Sequence, residues 1–152
     1  MTGTHSAIHA TFTLERDYPV TPATVFASWA EPERKREWFT APGAEHELDF
    51  RVGGREVAAG VHDGKRMTFT TTYQEIVPDE RIVYTSTMGV DDDVVTVSLT
   101  TVEFAETPEG TRLTLTEHGA YLDGHERPEW REQGTTDQLG ALERRLREMS
   151  RN

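Results

Sequence analysis

Three kinds of residue in this chain could do chemistry from inside a fold: a carboxylate on an apolar strand, tyrosines on neighbouring strands, and a glutamine on an apolar helix face. In 111–121, Leu113 and Leu115 alternate with polar residues, and the same parity continues to Glu117 and Gly119. Glu117 is therefore expected to face an apolar interior, where burial drives a carboxyl toward its neutral form unless a cation or hydrogen-bond donors hold it ionised. A carboxyl so tuned serves as an acid, a base or a ligand anchor. The structural alternative is an ion pair at the cavity mouth with an arginine such as Arg16, whose parity matches Phe12 and Leu14. Phe69 and Tyr73 share parity with Met67 on one strand, and Tyr84 shares it with Ile82 and Met88 on the next. Core packing accounts for Phe69, whereas each tyrosine hydroxyl must find either a ligand or a buried partner. Gln138, beside Leu139 on the last apolar helix face, points either inward or to solvent. With Leu115 and Thr135 on the same inner surfaces, Phe69, Tyr73, Tyr84, Leu115, Glu117, Thr135, Gln138 and Leu139 form the candidate ligand-binding wall.

Other chemistries find no support. The chain has no cysteine, which removes disulfides, thiolate nucleophiles and sulfur-based zinc sites. Its histidines (His5, His9, His46, His62, His118 and His125) lack the His-Glu-x-x-His spacing of a helical zinc site and are expected as surface residues, so no metal or other cofactor is expected. Gly60 to Lys65 is one residue short of a phosphate loop and is followed by Arg66 where Ser or Thr should stand. It reads better as a hairpin. No Gly-x-Ser-x-Gly nucleophile elbow occurs. The charge runs Glu31 to Glu37 and Asp91 to Asp93 read as a solvated helix surface and a solvated loop, with Arg34, Lys35 and Arg36 available for a protein contact.

These residues need elements to position them. Ile8, Ala10, Phe12 and Leu14 alternate with polar residues in a strand that stops at Pro19. Thr21 is placed to cap a helix starting at Pro22, Pro32 breaks it, and 33–39 adds one or two turns ending in Trp38-Phe39. Six more strands are expected near 45–51, 54–62, 66–77, 80–88, 94–106 and 111–121, with Asp63-Gly64 the strongest hairpin signal. Thr135, Leu139, Leu142, Leu146 and Met149 then mark one face of a helix over 128–149. This order predicts an α+β helix-grip fold: a curved antiparallel sheet of about seven strands wrapped around a long C-terminal helix, with two short helices after the first strand. A ligand cavity would form between sheet and helix.

At 152 residues the chain fits one domain over 8–150, preceded by a frayed end over 1–7. With 16 Lys and Arg against 27 Asp and Glu, the net charge of −11 argues against nucleic acid as a partner. The longest apolar run is three residues, as at Val57-Ala58-Ala59, so no membrane insertion and a cytoplasmic location are expected.

The residues quoted next resemble the START-like, or Bet v 1-like, superfamily, and within it bacterial proteins similar to the activator of Hsp90 ATPase homologue group. Arg16 to Val20 with Pro22, Val25, Phe26, Trp29, Pro32 and Trp38 looks like that group's opening strand and paired helices. Arg51 to Arg55 looks like its glycine-pair turn, Tyr73 to Val83 like its central hairpin, and Gly110 to Thr116 like its penultimate strand. The resemblance runs from about residue 9 to 149. It departs in one place: the group's Gly-Trp pair early in the last helix is here Gly134-Thr135. Either the cavity beneath is larger, so that Thr135→Trp would gain about 0.5–2 kcal/mol by filling it, or Trp130 compensates. The resemblance implies binding of a small hydrophobic or amphipathic molecule. Its alternatives are a cyclase, hydratase or hydrolase using Glu117, and a stress-related co-chaperone with an Hsp90-type partner. The last is weakened because the chain lacks the extra N-terminal module of the eukaryotic activators. A homodimer is compatible with all three.

Overall fold

The computed structural model describes residues 5–151 and contains one seven-stranded antiparallel sheet and three helices. In chain order these are β1 (Ala7–Tyr18), α1 (Pro22–Ala30), α2 (Pro32–Phe39), β2 (Glu45–Leu48), β3 (Arg55–His62), β4 (Lys65–Val77), β5 (Arg81–Val90), β6 (Asp93–Thr107), β7 (Gly110–Leu122) and α3 (Pro128–Ser150). The strand order is β1-β7-β6-β5-β4-β3-β2. The expected helix-grip architecture is thus present, with α3 packed against α2 and β1. Most of the expected tail, residues 1–4, lies outside the described residues. The Asp123 N–H donates to the Ser6 carbonyl and the Ser6 N–H to the Asp123 side-chain Oδ1, and Ala7 already pairs with Leu122.

Local chemistry sets the boundaries. The Thr21 hydroxyl accepts from the Thr24 N–H, while Pro22 takes the first helical position, where its missing donor costs nothing. Glu31 ends α1 by donating its N–H to the Ala27 carbonyl, and Pro32 restarts the chain as α2. Asp63 and Gly64 both adopt positive φ, the geometry of a two-residue hairpin matched to strand twist. A bulge between Tyr73 and Glu75 shifts the β4–β5 register and helps the sheet curl.

Cross-strand register aligns residues of neighbouring strands into rows on the concave face. One row joins Tyr73, Tyr84, Thr100, Glu117 and Phe12, and the next joins Thr71, Ser86, Ser98 and Gly119. Leu139, Leu142 and Leu146 of α3 close over Leu14, Val102, Leu113 and Leu115 to form the core, extended by Trp29, Trp38 and Phe104. At roughly 1.5–3 kcal/mol per fully buried large apolar side chain, this packing dominates the stability of the fold. Tyr18, unremarked in the sequence, is buried and donates its hydroxyl to the Leu139 carbonyl, pinning β1 to the middle of α3. No helix among the described residues is long and apolar enough to cross a membrane.

Candidate functional site

The concave face carries two buried polar centres, and both differ from the simplest sequence expectation. Glu117 does point inward and is only 2% exposed. Its counter-ion is Arg131 of α3, not Arg16, which is half-buried and donates to the neighbouring Glu15 carbonyl. Arg131 Nε lies 2.8 Å from Glu117 Oε2 and Nη2 lies 3.1 Å from Oε1, while the Thr100 hydroxyl donates to Oε1 at 3.0 Å. The guanidinium carbon stacks 4.6 Å from the centre of the Phe69 ring. Burial works against the charge of Arg131, but the Glu117 carboxylate more than offsets it and holds the guanidinium above its ordinary range. The Tyr84 hydroxyl is pushed up by burial and further by the Glu117 charge, so it serves as a neutral hydrogen-bonding group.

Around this pair the structure gathers most of the candidate wall. Phe69, Tyr84, Leu115, Glu117, Thr135, Gln138 and Leu139 surround a sealed void of about 10 Å3, together with Trp29, Trp38, Phe39 and Arg131. That is space for one water at most. Tyr73 does not reach it. Gln138 is half-buried and donates from Nε2 to the Phe39 carbonyl at 2.9 Å, joining α3 to the end of α2. Trp130 is 59% exposed, so the group's missing tryptophan is not replaced by it. The Arg131 side chain, one turn before Thr135, is among the groups that line the void. Thr135, 5% exposed above so small a void, leaves no room for an indole. Thr135→Trp is therefore expected to cost about 1–3 kcal/mol by overpacking, and a lowered urea midpoint would record it. A raised midpoint would show that α3 moves aside.

The second centre was not foreseen. Glu56 of β3 and Lys35 of α2 are each 1% exposed. Lys35 Nζ lies 2.9 Å from Glu56 Oε1, the Tyr73 hydroxyl donates to the same oxygen at 2.6 Å, and His46 Nε2 lies 2.7 Å from Oε2. Burial alone would raise the Glu56 carboxyl, but the Lys35 charge and hydrogen bonds from His46, Tyr73 and Lys35 hold it down at about 2. Burial and the Glu56 charge push Tyr73 up, so its proton stays on. The Lys35 ammonium sits 4.3 Å from the centre of Phe39 and 5.0 Å from that of Trp29, where ring faces replace part of its lost hydration. Two expectations fail here: Lys35 is not on a solvated helix surface, and His46 is not a surface histidine. Among the described residues no group of three or more metal-ligating side chains gathers around it or elsewhere.

An open pocket lies beside the sealed void, shares its walls and encloses about 390 Å3. Ala58, Ala59, Met67, Phe69 and Met88 form its floor, the turn from Phe39 through Ala44 forms one rim, and Arg131 and Gln138 stand at the helix side. This volume falls in the range of small-molecule sites, and the mix of apolar walls with a few polar groups is typical of them. Arg131 separates pocket from void. Its spacing of four residues from Thr135 and eight from Leu139 places it on the inner stripe of α3, a signal that its charged neighbours Glu129 and Glu132 obscured.

Comparison with known proteins agrees with this architecture. A family model described as activator of Hsp90 ATPase homolog 1-like protein matches residues 19–147. The chain is similar to an uncharacterized protein from Rhizobium leguminosarum, with 38% identity and a TM-score of 0.91 over 95% of this chain and 98% of that one. It is also similar to the Mll3558 protein of Rhizobium loti, with 43% identity and a TM-score of 0.88 over 93% and 99%. Protein CV1439 of Chromobacterium violaceum shares 26% identity at a TM-score of 0.73, covering 90% and 96%. No curated protein gives a significant match.

Proposed function

Because this chain belongs to the activator of Hsp90 ATPase homolog 1-like family, within the START-like superfamily, we propose that it binds a small apolar or amphipathic molecule between the sheet and α3. The observation that carries this reading is the open pocket of about 390 Å3, apolar on its floor, with Arg131 and Gln138 at the helix side and Thr40 and His62 as its other polar lining residues. Burying an apolar ligand there removes surface from water at about 25 cal/mol per Å2, while the polar groups orient it. Use of Glu117 as a general acid or base is the less favoured reading. Both its oxygens already accept hydrogen bonds, so Arg131 would have to leave before a substrate could reach them.

The test uses the neutral fluorescent probe N-phenyl-1-naphthylamine and native mass spectrometry of freshly purified protein with extraction of bound molecules. Ala58→Phe places a ring on the pocket floor beside Phe69, its partner across β3 and β4. The variant is expected to weaken probe binding about tenfold or more, equivalent to about 1.4 kcal/mol, without lowering the melting temperature by more than a few degrees. Unchanged probe binding would remove the pocket as the site.

A further inference from the structure

The buried Glu56 cluster lies beside the pocket on the same sheet face, with Glu56 two residues before Ala58 on β3, and its connectivity is unusual for a core ion pair. A single carboxylate binds both ends of one stretch of chain. Oε1 takes Lys35 in the middle of α2, and Oε2 takes His46 at the start of β2. Between these two anchors run the last turn of α2 and the 40–44 turn, the same backbone that forms the pocket rim from Phe39 to Ala44. The rim has other ties as well: the Thr40 hydroxyl donates to the Arg36 carbonyl, Glu45 pairs with Arg66, and the Phe39 ring packs edge-on against Trp38. Its turn closes through the Ala44 N–H and the Ala41 carbonyl, Gln138 reaches Phe39 from α3, and β2 is a four-residue edge strand paired only with β3.

Phe39 is the ring through which this cluster reaches the ligand site. It lines both the pocket and the sealed void. The Lys35 ammonium lies 4.3 Å from its centre, the His46 ring 6.2 Å and the Phe69 ring 6.0 Å. Both groups that touch Glu56 from the rim segment therefore also pack on the one rim side chain that the pocket shares with the core. An ion pair serving stability alone would be improved or left unchanged by apolar replacement. One that sets the position of a mobile edge would not be.

We propose that Glu56 is a positioning residue for the ligand site: its two oxygens clamp the 35–46 segment and so fix Phe39 and the pocket rim. This rests on the binding reading above. Released from the clamp, the rim samples open positions, and apparent affinity falls by the fraction of time the competent position is lost.

The test compares the full-length protein with two variants and a control. His46→Phe frees the β2 end while leaving Lys35 to neutralise Glu56. The double variant K35M/E56M removes both charges together, so no uncompensated ion stays in the core. Leu146→Ala, buried on α3 but not among the pocket-lining residues, is the control for loss of stability alone. Amide hydrogen exchange over 40–46 and the dissociation constant for N-phenyl-1-naphthylamine are read on each. Both clamp variants are expected to exchange about tenfold faster in 40–46 and to bind the probe about tenfold more weakly, while Leu146→Ala keeps wild-type affinity. Wild-type affinity and exchange in both clamp variants would overturn the proposal. So would an equal loss of affinity in Leu146→Ala, since the effect would then follow stability. A wild-type protein that takes up no probe defeats the binding reading instead, and the exchange of 40–46 then decides the clamp alone.

Discussion

Arg131→Met is expected to cost about 3–5 kcal/mol of folding stability, because it strands a buried carboxylate. Glu117 sits 2% exposed among Leu115, Phe69 and Leu139, and without the guanidinium its remaining donor in this cluster is the Thr100 hydroxyl. One neutral hydrogen bond cannot repay the desolvation of an ion. The stacked contact with Phe69 is lost as well. Replacing both partners reverses the argument, since R131M/E117M leaves no charge behind and fills the same space with thioethers. The double variant is expected to return to within about 1 kcal/mol of the wild type or above it, as apolar replacements of buried pairs commonly do. Urea denaturation of both variants measures the two effects. A single variant within about 1 kcal/mol of wild type would mean that water reaches Glu117.

Acid is expected to remove about 3 kcal/mol of stability through Glu56 alone. The folded protein holds this carboxyl at about 2, against 4.5 for the free group. The folded state thus favours the ionised form, and the stabilisation is complete above about pH 5. It is lost as the pH falls from there toward 2, because the unfolded chain takes up the proton first. The groups facing Glu56 are Lys35 from α2, His46 from β2 and Tyr73 from β4, with Tyr84 of β5 further off. Other carboxylates titrate in the same window, so the quantity of interest is a difference. Wild type and K35M/E56M are unfolded with urea at steps from pH 6 to 3. The wild type is expected to lose stability more steeply, and parallel profiles would show that Glu56 is not held ionised.

The sequence carried the frame of the molecule further than it carried the centres. Alternation of Leu113, Leu115 and Glu117 gives the inward parity of β7, because a sheet with one wet face leaves only one register that buries its apolar set. Thr21-Pro22 and Asp63-Gly64 mark a helix start and a hairpin through backbone constraints that act within a few residues. Lys35 and Arg131 are different. Each lies among charged neighbours on a helix, and a lysine or arginine has the same local pattern whether it ends in water or in a core. What buries them is a carboxylate on another element, 21 residues away for Lys35 and 14 for Arg131. His46 and Glu56 share this property, since their pairing exists only once β2 lies beside β3.

The pairing of β1 with β7 also governs when the fold can be completed. Ala7 meets Leu122 and Tyr18 meets Thr111, so β1 finds its neighbour only after nearly all the remaining sheet has been made. The entropy of closing so long a loop is only modestly greater than that of a shorter one, because it grows with the logarithm of length. Time is the more demanding quantity, since pairings remote in sequence form slowly. Until β7 has been made, Phe12, Leu14 and Tyr18 remain on a strand without a partner, and α3, which must close over them, is later still. The core cannot be sealed before α3 is available to close over β1 and β7 together.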